Sequence, residues 1–233
     1  MNLDYDFMLE TLWLALPGIL VTFEIALVAS AAAVPVGLVL GIIRARRVPL
    51  LSQLARVYIS FIRGTPLILQ IFLVYNSFPS ILAVVFARLG VEYNIFNLNP
   101  VVYAFIVFSI SETAVLAEVF RAAITTVDKS QLEAAYSVGM TAFQGYRRIV
   151  IPQAMSAALP SLCNSITDLI KATSLAFTMS VMEITAIAKK QGAMKLSFIE
   201  AYLDIFLLYC ILIFTVEKVL KILEKRARAY QQA

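Results

Sequence analysis

Residues 16–43 read LPGILVTFEIALVASAAAVPVGLVLGII and contain a single charged side chain, that of Glu24. An α-helix rises about 1.5 Å per residue, so roughly 20 apolar residues are enough to cross the hydrocarbon core of a bilayer. This stretch is longer than that and is interrupted by only one charge. It therefore predicts a membrane-spanning helix.

Four further apolar stretches are long enough to span a membrane, although the one at residues 154–188 has a polar middle. Hydrophobic residues make up 61% of the chain and charged residues 15%, whereas soluble domains average about 45–50% and about 25%. We therefore predict an all-α, polytopic membrane protein in which residues 1–233 form one transmembrane domain. The five predicted spans are 16–43, 54–80, 101–123, 154–188 and 201–220.

The basic residues predict the orientation of the chain, because short cytoplasmic loops are enriched in lysine and arginine. With five spans, 14 of the 19 Lys and Arg residues flank one face, 4 flank the other, and Lys171 lies inside the fourth span. This asymmetry predicts that the N-terminus is outside and the C-terminus inside. The basic residues form no patch of their own, so they do not indicate nucleic-acid binding.

The cytoplasmic loop at residues 125–152 carries clear signals for helix ends. Ser130 and Glu133 match a capping box, which predicts that a helix begins at Gln131. Gly139 suits the left-handed conformation that often ends a helix. The predicted helix has one apolar stripe, made of Leu132, Ala135, Tyr136 and Gly139.

A second short helix is predicted after Gly139. Thr141 and Gln144 form another capping box, and Pro152 marks the next boundary. The loop is thus expected to contain two short helices joined by a tight turn. Two interpretations of the first helix stay open at this point: it docks into a groove of another protein, or it lies on the membrane surface.

The string Glu133-Ala134-Ala135, with Gly139 and Pro152 at their offsets, resembles the "EAA" loop of permease subunits of ATP-binding-cassette importers. In that family the loop is a coupling helix that docks on the ATPase. Other segments resemble the polar amino-acid branch of the family, which includes histidine, glutamine, arginine and cystine permeases. They are the R-G-T-P-L run at 63–67, A-E-V-F-R at 117–121, L-I-K-A-T-S-L-A at 169–176 and E-A-Y at 200–202.

This resemblance implies the fold of a type I importer permease in a bacterial cytoplasmic (inner) membrane. It implies that Glu133, Ala134, Ala135 and Gly139 couple transport to separate ATPase subunits, which would hold ATP and magnesium. It also implies an extracytoplasmic solute-binding protein and a second permease, either another copy or a paralogue. Ala172 and Glu112 depart from the family pattern, and similarity at 173–183 favours cystine or another sulfur amino acid as the cargo.

Six ionisable residues lie at or near membrane depth: Glu24, Glu112, Glu118, Asp168, Lys171 and Glu183. Such groups are costly in a bilayer and serve either a pathway or a partner. Asp168 and Lys171 are three residues apart on one helix, so they are placed to form an internal ion pair. The other interpretation is a substrate path, with Lys171 facing the cargo carboxylate and Glu112 or Asp168 facing its ammonium. Thr173 and Ser174 are the small polar neighbours expected along that path.

Other functions fit the sequence less well. The chain has no histidine, only two cysteines and no G-x-S-x-G turn, so an intramembrane enzyme lacks support. It has no G-x-x-x-x-G-K-[ST] phosphate loop, so it is not the ATPase. We therefore expect a transport subunit, not an enzyme, with no cofactor of its own. The alternative is a gradient-driven secondary transporter or channel, in which the intramembrane carboxylates would carry protons or sodium.

Overall fold

Every regular element in the described part of the chain is a helix. The computed structural model describes residues 3–90 and 98–232, with side chains up to Arg226. A π-helical segment (Tyr146–Val150) and a 3-10 segment (Thr173–Met179) flank α8. The α-helices are α1 (Tyr5–Ala15), α2 (Gly18–Ala45), α3 (Leu51–Gly64), α4 (Leu67–Arg88), α5 (Pro100–Thr126), α6 (Lys129–Ser137), α7 (Ala142–Gly145), α8 (Ile151–Ala172), α9 (Ile184–Lys195) and α10 (Phe198–Gln232).

Five helical segments of the described chain are long and apolar enough to cross a membrane, which confirms the predicted fold class. The first, third and fifth lie close to the predicted ranges, whereas the second and fourth differ for local reasons. The observed segments are Gly18–Ala45, Leu67–Arg88, Pro100–Thr126, Ala142–Met179 and Phe198–Arg226.

The second predicted span, residues 54–80, is divided between two helices. α3 ends at Gly64, and α4 begins after Pro66, whose ψ of 134° is extended and whose ring removes a backbone donor. α4 continues beyond residue 80 to Arg88, about 33 Å in all, so it is long enough to span alone. α3 is about 21 Å long, which is too short.

The fourth predicted span, residues 154–188, has different ends in the structure. The helical segment begins at Ala142 and passes through Pro152, which was expected to be a boundary. The preceding π-helical turn bonds the N–H of Ile151 to the carbonyl of Tyr146, and proline itself has no N–H to satisfy. At the far end Ser180 adopts a φ of 62° and stops the 3-10 segment, so residues 184–188 belong to α9.

The chain divides into two compact units. Unit 1 comprises Met1–Ala29, Thr65–Ile110 and Asp168–Thr215. Unit 2 comprises Ser30–Gly64, Ser111–Thr167 and Val216–Ala233.

In unit 1, a buried carboxylate begins α9, which packs along α1. Glu183 accepts hydrogen bonds from the N–H groups of Thr185 at 2.8 Å and Ala186 at 2.9 Å. The hydroxyl of Tyr209 on α10 donates to the same carboxylate at 3.0 Å. Glu183 therefore satisfies backbone donors at a helix start, so its acidic group has a structural explanation.

In unit 2, two glycines let α2 approach α5 closely. A Cβ on Gly37 would lie 3.1 Å from the backbone nitrogen of Ala117, and one on Gly41 would lie 2.8 Å from the Cβ of Phe120. Small residues four positions apart are the usual device for close helix contact in membranes. The core beside them is apolar and contains Ala33, Leu116, Phe120, Ala123, Ile124, Val150, Ala154 and Ala158.

We expect Gly41→Val to lower the free energy of unfolding by about 1–3 kcal/mol, because its side chain meets backbone atoms of α5 that cannot move aside. Thermal unfolding in detergent measures this. Gly64→Ala is the matched control, since a Cβ there has no neighbour within 4 Å. Equal losses in the two variants would contradict the proposed close contact.

Candidate functional site

The helix α6, which carries the Glu-Ala-Ala string, begins earlier than predicted. Its N-cap is Asp128, whose side chain accepts a hydrogen bond from the N–H of Ser130 at 2.9 Å. This bond and the Ser130 hydroxyl hold the pKa of Asp128 below its usual range. The predicted cap at Ser130 is therefore wrong by two positions, because the preceding aspartate reaches the free donor first.

The end of α6 is the left-handed turn that was predicted. Gly139 has a φ of 79°. Its N–H donates to the carbonyl of Tyr136 at 3.0 Å, and the N–H of Met140 donates to that of Ala135 at 3.0 Å. These two bonds form a Schellman motif, which closes the helix end without help from another chain.

The second capping box is also confirmed. Thr141 and Gln144 bond each other's backbone N–H groups through their side chains. The helix that they open does not end as a separate element. It runs through Tyr146–Val150 into α8, so α6 is attached to a membrane-crossing helix by one tight turn.

One side of α6 packs against the rest of unit 2. Ala135 is 2% exposed, and Leu132 packs against the core. A Cβ on Gly145 would lie only 2.8 Å from the Cδ1 of Leu132, so the glycine permits this contact. The predicted apolar stripe is therefore divided: Leu132 and Ala135 face the protein, whereas Tyr136 and Gly139 are exposed.

The outer side of this segment is exposed and partly apolar. Glu133 and Ala134 are exposed on α6. Two large apolar side chains follow, with Val138 at 74% and Phe143 at 71% exposure. Large apolar side chains that are exposed within a short segment, with a charge among them, fit a surface that binds another protein. The coupling role assigned to Glu133, Ala134, Ala135 and Gly139 stays a prediction.

In unit 1, Lys171 and Asp168 form the pair that their spacing predicts. Their Nζ and Oδ1 atoms are 3.1 Å apart, and both side chains are exposed. Ser174 is half-buried nearby in the sequence. Thr173 is fully buried and donates to the carbonyl of Ile170 at 2.7 Å. Its place on the substrate path stays a prediction.

In unit 2, Glu112 is buried rather than open. It is 5% exposed and accepts a hydrogen bond from the hydroxyl of Ser165. The place of Glu112 on the substrate path stays a prediction. Among the described residues, no group of three or more His, Cys, Asp or Glu side chains is placed to hold a metal ion.

The exposed face of α8 is more polar than a lipid-facing helix would be. Ser161 and Asn164 are exposed and lie three residues apart on this face. Asp168 and Lys171 continue the same spacing of three or four residues along the helix. Polar side chains on one face of a membrane-crossing helix indicate contact with water, cargo or another polar surface.

Sequence reasoning missed a charge cluster in unit 2. Glu118 accepts hydrogen bonds from Arg44 on α2 and from Arg121 on α5, the latter at 2.8 Å through Nε. The spacing of Glu118 and Arg121 could have indicated one of these pairs. The contact with Arg44 depends on how α2 packs on α5, and no local pattern reports that.

The chain is similar to known membrane transport proteins over most of its length. Residues 33–229 match the family described as the binding-protein-dependent transport system inner membrane component. The probable amino-acid permease protein YxeN of Bacillus subtilis is 38% identical over 211 residues, covering 91% of this chain and 90% of that protein. The L-cystine transport system permease protein TcyL of the same organism is 34% identical over 231 residues, covering 99% and 92%.

A solved structure is similar over nearly the whole chain. It is the crystal structure of an amino acid ABC transporter with histidines, which matches with a TM-score of 0.81 and 28% identity. The match covers 97% of this chain and 100% of that one.

We expect Glu118→Gln to lower the free energy of unfolding by about 1–3 kcal/mol, because it leaves two partly buried guanidinium groups without a counter-charge. Unfolding in detergent measures the loss, and a second change, Arg44→Gln, should restore part of it. The control is Glu217→Gln, which removes an exposed pair with Lys221 and should change stability by less than about 0.5 kcal/mol. A loss no larger than the control's would show that the cluster is not structural.

Proposed function

This chain belongs to the family of inner membrane components of binding-protein-dependent transport systems, and we propose that it moves a polar amino acid into the cytoplasm as the permease subunit of an ATP-binding-cassette importer. The observation that carries the proposal is the exposed surface of the segment from α6 to Phe143. A short helix, closed at both ends, presents Glu133 and Ala134 outward beside an exposed apolar surface.

A separate ATPase is the proposed occupant of this surface. A helix that buries one side in its own protein can lay its other side in a groove of a partner. Tyr136 and Phe143 supply apolar area, and Glu133 supplies a charge for orientation. The chain is a transport subunit rather than an enzyme, and ATP and magnesium would be held by the partner, since this sequence has no phosphate loop.

Residues 130–152 would transmit the motion of the ATPase. In the proposed cycle, ATP binding draws two ATPase subunits together and carries the two docked α6 helices with them. Because α6 is joined to α8 by one tight turn, that displacement reaches a membrane-crossing helix. The path would turn outward to receive the amino acid, and hydrolysis would return it to the inward state.

The remaining partners follow from the same assignment. A second permease, either another copy or a paralogue, would complete the path by two-fold pairing, which is the commonest symmetry of oligomers. An extracytoplasmic solute-binding protein would deliver the cargo. The chain would lie in a bacterial cytoplasmic membrane, with its N-terminus outside and its C-terminus inside, as the distribution of basic residues predicts.

The exposed polar face of α8 is the proposed lining of the path. Lys171 and Asp168 are both exposed and oppositely charged, which suits the two ends of a zwitterionic amino acid. Ser174 is the half-buried hydroxyl that follows them. Glu112 and Thr173 complete the proposed path; in the described structure Glu112 accepts a hydrogen bond from Ser165, and Thr173 donates one to the carbonyl of Ile170.

Cystine or another sulfur amino acid is the proposed cargo within this class. The similarity to the L-cystine permease covers 99% of this chain. The similarity at residues 173–183 points the same way. Competition of uptake by unlabelled amino acids would rank the candidates directly.

We expect that purification in mild detergent will recover a stoichiometric ATPase with a phosphate loop, identified by mass spectrometry. Vesicles containing this complex and the binding protein should take up labelled amino acid only with ATP. Uptake that needs no ATP and is abolished by an ionophore would instead support the gradient-driven transporter.

We expect Gly139→Val to reduce ATP-driven uptake strongly while the ATPase still co-purifies. A φ of 79° disfavours a β-branched residue by about 1–2 kcal/mol, so the turn that orients α6 should be lost. No atom lies within 4 Å of a Cβ at this position, so backbone conformation rather than space is tested. Gly139→Asn is the control, since asparagine tolerates this conformation. Normal uptake by the valine variant would contradict a coupling role for the turn.

A further inference from the structure

Unit 2 contains an open cleft that shares only Ser161 with the proposed path and no residue with the proposed coupling set. Its volume is about 410 Å³, which lies in the range of small-molecule sites. Most of its wall is made of small or apolar side chains, including Val115, Val119, Ala122, Ala157 and Ser161. The cleft therefore has room for a molecule the size of an amino acid.

Two charged residues line this cleft, and they differ in how they are satisfied. The carboxylate of Glu118 is already bonded to Arg44 and Arg121. Arg63, at the end of α3, forms no ion pair or hydrogen bond with any described residue. The three arginines and one glutamate leave a net positive charge around the cleft, so an anion is favoured there.

The chemistry of Arg63 restricts what that anion is. A guanidinium presents donors in a planar fork that matches a carboxylate through two parallel hydrogen bonds. Arg63 is exposed beside the small and apolar side chains of the cleft, so its guanidinium is open to such a partner. The cargo proposed for this chain carries at least one α-carboxylate, two in the case of cystine, and needs space for the rest of the molecule, which the small side chains provide.

The position of the cleft indicates when in transport it would be used. Thr126, which lines it, is the last residue of α5, and α6 begins three residues later. Ala157 and Ser161 belong to α8, which follows the coupling segment. The cleft thus lies between the helices that enter and leave that segment, at the end of the chain path predicted to face the cytoplasm.

We propose that this cleft is an exit station, at which the guanidinium of Arg63 binds the α-carboxylate of the amino acid as it leaves for the cytoplasm. This inference rests on the proposed function. Asn164, exposed three residues beyond Ser161 on α8, is the next polar group toward the membrane interior. Arg63 is then a specificity residue for the carboxylate end of the cargo, separate from Lys171.

A labelling experiment on the complete importer tests this proposal. The protein carries Cys163→Ala, Cys210→Ala and Ser161→Cys, and is placed in phosphatidylcholine nanodiscs with its ATPase. A membrane-impermeant maleimide reports access to the thiol introduced at position 161, and Ala157→Cys provides a second position. The probes are L-cystine, L-glutamine and L-arginine, each compared with its own α-carboxamide.

We expect at least one of these amino acids to slow labelling about tenfold at saturation, and its α-carboxamide to have no effect. Arg63→Gln should remove this protection and lower the maximal rate of ATP-driven uptake by about tenfold. The matched control is Arg56→Gln, which removes an exposed arginine of the same helix that does not line the cleft. It should leave both measurements unchanged.

Equal protection by the amino acid and its carboxamide would overturn the proposal, and so would protection that survives Arg63→Gln. Slow labelling caused by phosphatidylglycerol alone would also overturn it, because the cleft would then bind a lipid phosphate. Absence of ATP-driven uptake by the wild-type protein would refute the proposed function itself. Wild-type uptake that Arg63→Gln does not alter would refute only the exit station.

Discussion

A helix that breaks inside a membrane leaves backbone groups without water to bond, and this constraint governs the interior of the protein. At two helix breaks in this protein, side chains form hydrogen bonds with the backbone groups that the helix leaves without partners. After the break at Pro66, the amide of Gln70 donates to both the carbonyl and the hydroxyl of Thr65 at 3.0 Å. Before α9, Glu183 accepts from two N–H groups. Glu183 is therefore a buried acid whose presence is explained by its hydrogen bonds to the backbone.

The same constraint separates structural charges from functional ones. Glu118 forms ion pairs with two arginines, Glu112 accepts a hydrogen bond from a hydroxyl, and Lys171 forms an ion pair with Asp168. A charge that has its partner within the protein can be explained by folding alone. Arg63 has no such partner among the described residues, which leaves it available to the carboxylate proposed above. The exposed pair of Lys171 with Asp168 is the one proposed to face the zwitterion.

Local chemistry explains which features could be predicted from the sequence. Five membrane helices follow from apolar length, and the turn at Gly139 follows from the need for a positive φ. Boundaries near proline were less predictable, since Pro66 breaks a helix, whereas Pro152 is accommodated by a π-helical turn. The exposed or buried side of each residue could not be derived, because it depends on which helices become neighbours. For this reason the burial of Thr173 and Glu112 was not foreseen, and Arg44 was not paired with Glu118.

The contacts that fix α6 in place determine whether its movement can displace other helices. A docking helix that hung from flexible loops would move without displacing the membrane helices. Here Asp128 fixes its start, a Schellman motif fixes its end, and Leu132 packs against the core beside Gly145. Each attachment joins α6 to the residues that lead into α5 or α8, so a partner that moves α6 must also move those helices. Because both helices line the cleft that contains Arg63, the proposed docking on α6 would change the width of that cleft. Under the exit-station proposal, retention or release of the carboxylate would then follow the state of the ATPase without a longer pathway of coupling.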